Sequence, residues 1–190
     1  MKEITTILIL LLSLNILSTG QNRLPAFNKE DQTIKQDWLI DPVEAKAKLY
    51  NNSDGNLVFS NGIVSRTYSL SPNVATVGLN HLQTNESFLR SVRPEAEIQI
   101  DGITFSVGGL IGQPIHNYLL KEWISDLTAD PASFKFTDYR IEETKARFPW
   151  KKRLDWMPQD MPWPAPGKEV IFNYKLDSEA LEVLAGRALT

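Results

Sequence analysis

Between positions 95 and 107 the chain alternates polar and apolar residues on both sides of one turn. Glu95-Ala96-Glu97-Ile98-Gln99-Ile100 runs into Asp101-Gly102, and Ile103-Thr104-Phe105-Ser106-Val107 runs out of it. A two-residue turn of this kind needs positive φ at both positions, which Asp-Gly supplies at little steric cost. The register then sets Ile100 against Ile103, Ile98 against Phe105 and Ala96 against Val107. Cross-strand partners share a face, so the pattern predicts a half-buried antiparallel ribbon with one wholly apolar side.

Weaker versions of the same signal recur. Leu57-Val58-Phe59 and Ile63-Val64 flank Asn61-Gly62, but a two-residue turn there would set Leu57 opposite Arg66. A longer loop or a bulge repairs the pairing. Ala75, Val77 and Leu79 alternate after Ser71-Pro72-Asn73. Phe134 and Phe136, then Tyr139 and Ile141, describe a strand whose phase slips once, as a bulge would cause. Val170, Phe172, Tyr174 and Leu176 give a late strand. Leu120, Trp123, Ile124 and Leu127 fall on one face of a 3.6-residue period, predicting one short amphipathic helix with Asn117 as its cap and Asp130-Pro131 as its stop. Trp38-Leu39-Ile40 reads as a first apolar anchor, and 43–48 as a helix capped by Asp41-Pro42 or as a strand. The tail, 177–190, reads equally as a capped helix or a strand. Many short strands separated by turn signals make the fold class mostly β, an antiparallel β-sandwich.

The first residues follow a different rule. Met1-Lys2 is weakly basic, 7–17 is apolar apart from Ser13 and Asn15, and Ser18-Thr19-Gly20 supplies the small residues of a cleavage site. That is the layout of a secretory signal peptide. The run is shorter than the roughly 20 apolar residues a spanning helix needs. The expected organisation is a signal peptide over 1–20, a flexible polar lead-in over 21–36 and one sandwich domain, whole or truncated, over 37–190. The protein is expected to be secreted or periplasmic, with no membrane attachment once the signal is removed. With no cysteine in the chain, no disulfide supports the fold, and burial and backbone pairing must do so. The formal net charge of −3 argues against a nucleic-acid partner, which calls for a basic face.

No nucleophile elbow, phosphate loop, dinucleotide fingerprint or zinc-protease motif is present, and no cofactor or metal is expected. His81 and His116 are 35 positions apart and read as ordinary loop or surface histidines. Asp138, Glu142, Glu143, Asp155 and Asp160 read as solvated charges, so no catalytic residue is assigned. The most distinctive stretch is 134–166. It carries Phe148, Trp150, Trp156 and Trp163, five of the chain's 11 prolines, and Lys151, Lys152, Arg153, Asp155 and Asp160 between them. Prolines stiffen such a loop, and aromatic rings present an apolar face with a polar edge. Trp150, Arg153, Trp156, Asp160 and Trp163 are therefore the candidate substrate-binding or domain-docking residues. Three other roles compete with sugar stacking: plugging an end of the sandwich, docking on a neighbouring domain, and packing on another subunit. Asn51-Asn52-Ser53 and Asn85-Glu86-Ser87 also match the N-glycosylation acceptor pattern.

Two longer runs carry a family likeness. One is Ser60-Asn61-Gly62-Ile63-Val64-Ser65-Arg66-Thr67-Tyr68, with Leu70-Ser71-Pro72-Asn73-Val74-Ala75-Thr76-Val77 after it. The other is Arg93-Pro94-Glu95-Ala96, with Val107-Gly108-Gly109-Leu110 and Gly112-Gln113-Pro114 beyond. Over roughly 57–175 the chain resembles secreted bacterial α-galactosidase-like (melibiase-like) glycoside hydrolases. The resemblance implies an N-terminal β-sandwich placed before a (β/α)₈ catalytic barrel, with the family's paired aspartates lying in that barrel. It also implies that a sandwich loop, here 148–166, can reach the rim of the active site. The matched residues are turn and strand residues. A barrel needs about 250 residues and the sequence runs to Thr190, so a sandwich without its barrel is expected.

Three functions follow. The first is a non-catalytic sandwich of a glycoside hydrolase, supporting or lining the site of a catalytic (β/α)₈ barrel. The second is a stand-alone carbohydrate-binding module, which predicts an exposed row of coplanar tryptophans. The third is a small complete glycosidase, which predicts a cleft with two carboxylates of contrasting pKa.

Overall fold

The computed structural model describes residues 24–41, 46–153, 155 and 162–188. The signal peptide expected over 1–20 lies outside them, as do 42–45, Trp156 and Asp160. Among the described residues nine strands form three antiparallel sheets. β1 (Lys48–Asn51), β2 (Leu57–Ser60), β3 (Val64–Ser69), β4 (Ala75–His81) and β5 (Glu86–Ser87) make a meander in sequence order. β6 (Ala96–Ile100) pairs with β7 (Ile103–Val107), and β8 (Lys135–Glu143) with β9 (Lys168–Lys175). The helices are α1 (Lys29–Gln32), α2 (Lys121–Ile124) and α3 (Ser178–Ala188). The protein is thus mostly β and antiparallel, as its alternation predicts.

The meander buries both faces. On one side Leu49, Leu57, Tyr68 and Val74 meet Phe136, Tyr139, Ile141, Val170, Phe172 and Tyr174 of the β8–β9 ribbon. This contact makes the two layers of the sandwich. On the other side Ala75 and Val77 pack with Val92, Leu110 and Leu127 of the loops before and after β6–β7. A third cluster sets Phe105 of β7 against Ala132, Phe134 and Leu176.

The β6–β7 register is the expected one, with Ile98 opposite Phe105 and Ile100 opposite Ile103. Asp101 and Gly102 take φ of 51° and 82°. Phe105 is buried, whereas Ile98 and Ile100 on the outer strand remain exposed, so the apolar side is covered only along β7. At Asn61-Gly62 the longer loop is realised: Leu57 faces Tyr68 and Ser60 faces Ser65. The phase slip in β8 is a bulge between Phe136 and Asp138.

Two expectations need correction, and a third alternative is resolved. The predicted 120–127 helix is a single turn at Lys121–Ile124; Leu120 sits at its cap position, Asn117 does not cap it, and no side chain bonds there. Its apolar spacing is nevertheless meaningful, because Leu127 is buried and Ile124 packs beside it. Trp38, Leu39 and Ile40 do not anchor the core. Asp37 turns the chain there, accepting from the Leu39 N–H at 2.9 Å, and all three side chains are exposed. In the tail, Asp177 accepts from the Ala180 N–H at 2.9 Å and starts α3, so the helix prevails over the strand. Lys48 opens β1, and 43–45, half of the 43–48 segment, lie outside the described residues.

The polar lead-in is joined to the meander. The Phe27 N–H donates to the Asn51 carbonyl at 2.7 Å and the Asn51 N–H to the Pro25 carbonyl at 2.9 Å. The Phe27 ring meets Tyr50 edge-on at 5.6 Å, and Leu24 packs on the core. This segment occupies part of the free edge of β1, which would otherwise be a template for another chain. Deleting 21–36 from a chain of residues 21–190 is expected to lower stability by about 2 kcal/mol from lost apolar burial and to promote association. Urea unfolding followed by light scattering checks both effects.

Candidate functional site

Beyond the Glu143–Lys168 pair the ribbon opens into the 144–167 connection. Its base is fastened. Thr144 donates through Oγ1 to the Ala165 carbonyl at 2.6 Å, and Arg147 is ion-paired with Glu169. Above this base three aromatic rings gather. Trp150 and Trp163 lie 4.8 Å apart with planes inclined by 50°, and Phe148 lies 5.5 Å from Trp163 at 47°. They stay 56% (Phe148), 37% (Trp150) and 43% (Trp163) exposed. All three rings thus present apolar surface to solvent. The inclination matters too: the rings are not the coplanar row expected of a stand-alone carbohydrate module.

Of the sequence-predicted residues, the structure brings Trp150 and Trp163 together. Arg153 approaches Asp155 at 3.5 Å within the same loop. Trp156 and Asp160 lie outside the described residues. Phe148 completes the cluster; its place between Arg147 and Pro149 at the start of the proline-rich run was the available signal.

A charged cavity of about 340 Å³ lies at the foot of the loop, lined by Arg140, Glu142, Lys145, Arg147 and Ile171. Glu142 and Glu169 are direct cross-strand partners. Like charges so placed repel, and the surrounding cations offset this. Glu142 accepts from Lys145 and, at 2.8 Å, from Arg140 Nε. The hydrogen bond from Lys145, then that from Arg140, holds the Glu142 carboxyl below its usual value of 4.5. A hydrolytic acid would need the opposite shift. The arrangement is a ladder of ion pairs: Arg140 and Lys145 hold Glu142 along β8 and its extension, Arg147 joins that extension to Glu169 of β9, and Lys168 of β9 pairs with Glu143 of β8.

This ladder makes a pH prediction. A lowered folded-state pKa contributes stability above the unfolded pKa, and that contribution disappears as pH falls through the folded value. Glu142→Gln should therefore melt below the parent protein at neutral pH, and the two curves should converge as the pH falls below the ordinary glutamate range. Thermal melts across that range check it.

A second polar cluster was not singled out by sequence. Glu95 accepts from the Thr76 N–H at 2.5 Å, from Thr76 Oγ1 at 2.7 Å and from Arg66 Nη2 at 2.7 Å. The Arg66 guanidinium also sits 4.8 Å from the centre of the Tyr68 ring. Burial pushes the Tyr68 and Tyr174 hydroxyls up, and Glu95 adds to the effect on both. Arg66 Nε and Nη2, Thr76 Oγ1 and both Glu95 oxygens pair within the Arg66–Thr76–Glu95 set, which makes it a lock between β3, β4 and the start of β6. A cavity of about 210 Å³ adjoins Arg66, lined by Phe59, Ser60, Asn61 and Val64.

Comparison with protein-family models, curated proteins and solved structures finds no match. The functional reading therefore rests on the residues themselves. Among the described residues no group of three or more His, Cys, Asp or Glu side chains is placed to hold a metal ion. His81 contacts Thr84 through Nδ1 and meets the Phe88 ring edge-on. No described helix is long and apolar enough to cross a membrane.

Proposed function

We propose that this chain is a non-catalytic β-sandwich of a secreted α-galactosidase-like glycoside hydrolase, and that the 144–167 connection is the face it turns to a catalytic (β/α)₈ barrel. One observation carries the reading: Phe148, Trp150 and Trp163 form an exposed, mutually inclined cluster on a loop fastened at its base. Exposed aromatic rings held rigid in this way are characteristic of contact hot spots, where ordering costs little entropy. The inclination favours docking over a stand-alone carbohydrate platform. The ion-paired state of Glu142 and Glu169 favours a scaffold over a complete hydrolase.

The test has two arms, both on the exported chain. Aryl α-galactosides should not be hydrolysed above the uncatalysed rate, and tryptophan fluorescence should not respond to galacto-oligosaccharides. Hydrolysis that Glu142→Gln or Glu169→Gln abolishes would replace this reading with a complete enzyme. A saturable fluorescence change lost in Trp150→Ala would replace it with a carbohydrate-binding module.

A further inference from the structure

The outer strand of the β6–β7 ribbon is uncovered along its length. All five residues of β6 are exposed, including Ile98 (39%) and Ile100 (47%). The opposite edge of the ribbon is taken. The Phe134 N–H donates to the Ser106 carbonyl at 2.8 Å and the Gly108 N–H to the Phe134 carbonyl at 3.2 Å. The two-residue turn closes on the Ile100–Ile103 pair, so hydrogen bonding to β7 falls at 100, 98 and 96. Glu97 and Gln99 therefore turn their backbone N–H and C=O groups outward.

We infer that two copies of this chain associate through β6, antiparallel about a two-fold axis at Ile98, to make a continuous four-stranded sheet in the order β7, β6, β6, β7. Charge selects this register. Only the outward groups of residues 97 and 99 are available to pair, so the axis passes through an odd-numbered pair or midway between two of them. An axis at Glu97 sets Glu97 against Glu97. An axis at Gln99 sets Glu97 against Asp101. An axis at Ile98 sets Glu97 against Gln99 twice, with a carboxylate facing an amide donor each time. It also sets Ile98 against Ile98 and Ala96 against Ile100 on the apolar side. The next position brings Asp101 towards Glu95, whose charge Arg66 already offsets at 2.7 Å. Such an isologous contact is closed by its own symmetry and stops at two copies. It is independent of the glycosidase reading and uses a different surface.

Sedimentation equilibrium on the exported chain tests this, with two surface variants of opposite sign. The parent protein should dimerise with rising concentration. Gln99→Lys, which adds an ion pair on each side of the axis, should lower the dimer Kd about five-fold. Gln99→Glu should raise it by a similar factor, and Glu97→Lys combined with Gln99→Glu should restore dimerisation. Hydrogen exchange at the Glu97 and Gln99 amides should slow as the dimer forms. A chain that stays monomeric throughout, or a dimer that the two Gln99 variants leave unchanged or shift in the same direction, overturns the proposal.

Discussion

Asn73→Ala is expected to lower the unfolding free energy by on the order of 4 kcal/mol. Asn73 is fully buried in the turn that leads into β4. Its Nδ2 donates to the Phe134 carbonyl at 3.0 Å and approaches Ser133 Oγ at 3.2 Å. Its Oδ1 accepts from the Phe136 N–H at 2.9 Å and the Val74 N–H at 3.0 Å. One side chain therefore completes the backbone pairing of the meander and of the first residues of β8. Alanine removes the partner of these buried groups, and each orphan costs about 1–3 kcal/mol. That loss is a large fraction of the 5–15 kcal/mol typical of a domain. Urea unfolding should show a lower midpoint at an unchanged slope. A loss below about 1 kcal/mol would mean that the two layers are not joined through this residue.

Gly109→Ala is expected to cost about 3–4 kcal/mol, from a forced backbone conformation and a direct clash. Gly109 takes φ +83°, and a Cβ there would lie 2.6 Å from Pro94 Cα and 2.7 Å from Pro94 N. Those are backbone atoms, so a side-chain rotation cannot relieve the contact. The Gly109 N–H also donates to the Val74 carbonyl at 2.6 Å, which fixes the glycine against β4. Gly102 provides the control, with φ +82° and nothing within 4 Å of its Cβ position. Gly102→Ala should cost about 1 kcal/mol from conformation alone. Equal losses at the two sites would contradict the close approach of the segments around Pro94 and Gly109.

These two residues show what the runs used for the family likeness do physically. Asn73, Gly109, Arg66, Thr76 and Glu95 all belong to them, and each joins separate segments of the sandwich. Gln113 does the same. Its side chain accepts from the Val92 N–H and donates to the carbonyls of Arg90, Ile115 and Tyr118, gathering the loops on the far side of the meander. Strands and turns were legible in sequence wherever a strict period of two met a turn with a single solution, as at 95–107. The β8 bulge was legible because the apolar phase changes between Phe136 and Tyr139. The amphipathic helix was misread because loops that wrap a core can reproduce a helical spacing, as 119–127 does.

The candidate site was legible in part. Clustered aromatic and proline residues located Trp150 and Trp163, because composition alone marks such a loop. The charged foot was not legible. Glu142 and Glu169 become neighbours only through the β8–β9 register, which depends on where the bulge falls. Trp38, Leu39 and Ile40 show the converse: an apolar tripeptide looks like core until a turn at Asp37 carries it outward.

The most direct test of the proposed docking role is a search of the same and the adjacent reading frame for a (β/α)₈ barrel, followed by calorimetry of its association with residues 21–190. The proposed function predicts a 1:1 complex that the paired change Trp150→Ala and Trp163→Ala weakens at least ten-fold, since central aromatic anchors carry most of a contact's energy, while the far-ultraviolet circular dichroism stays unchanged. A barrel that binds both forms equally, or reading frames that encode no such barrel, would contradict it.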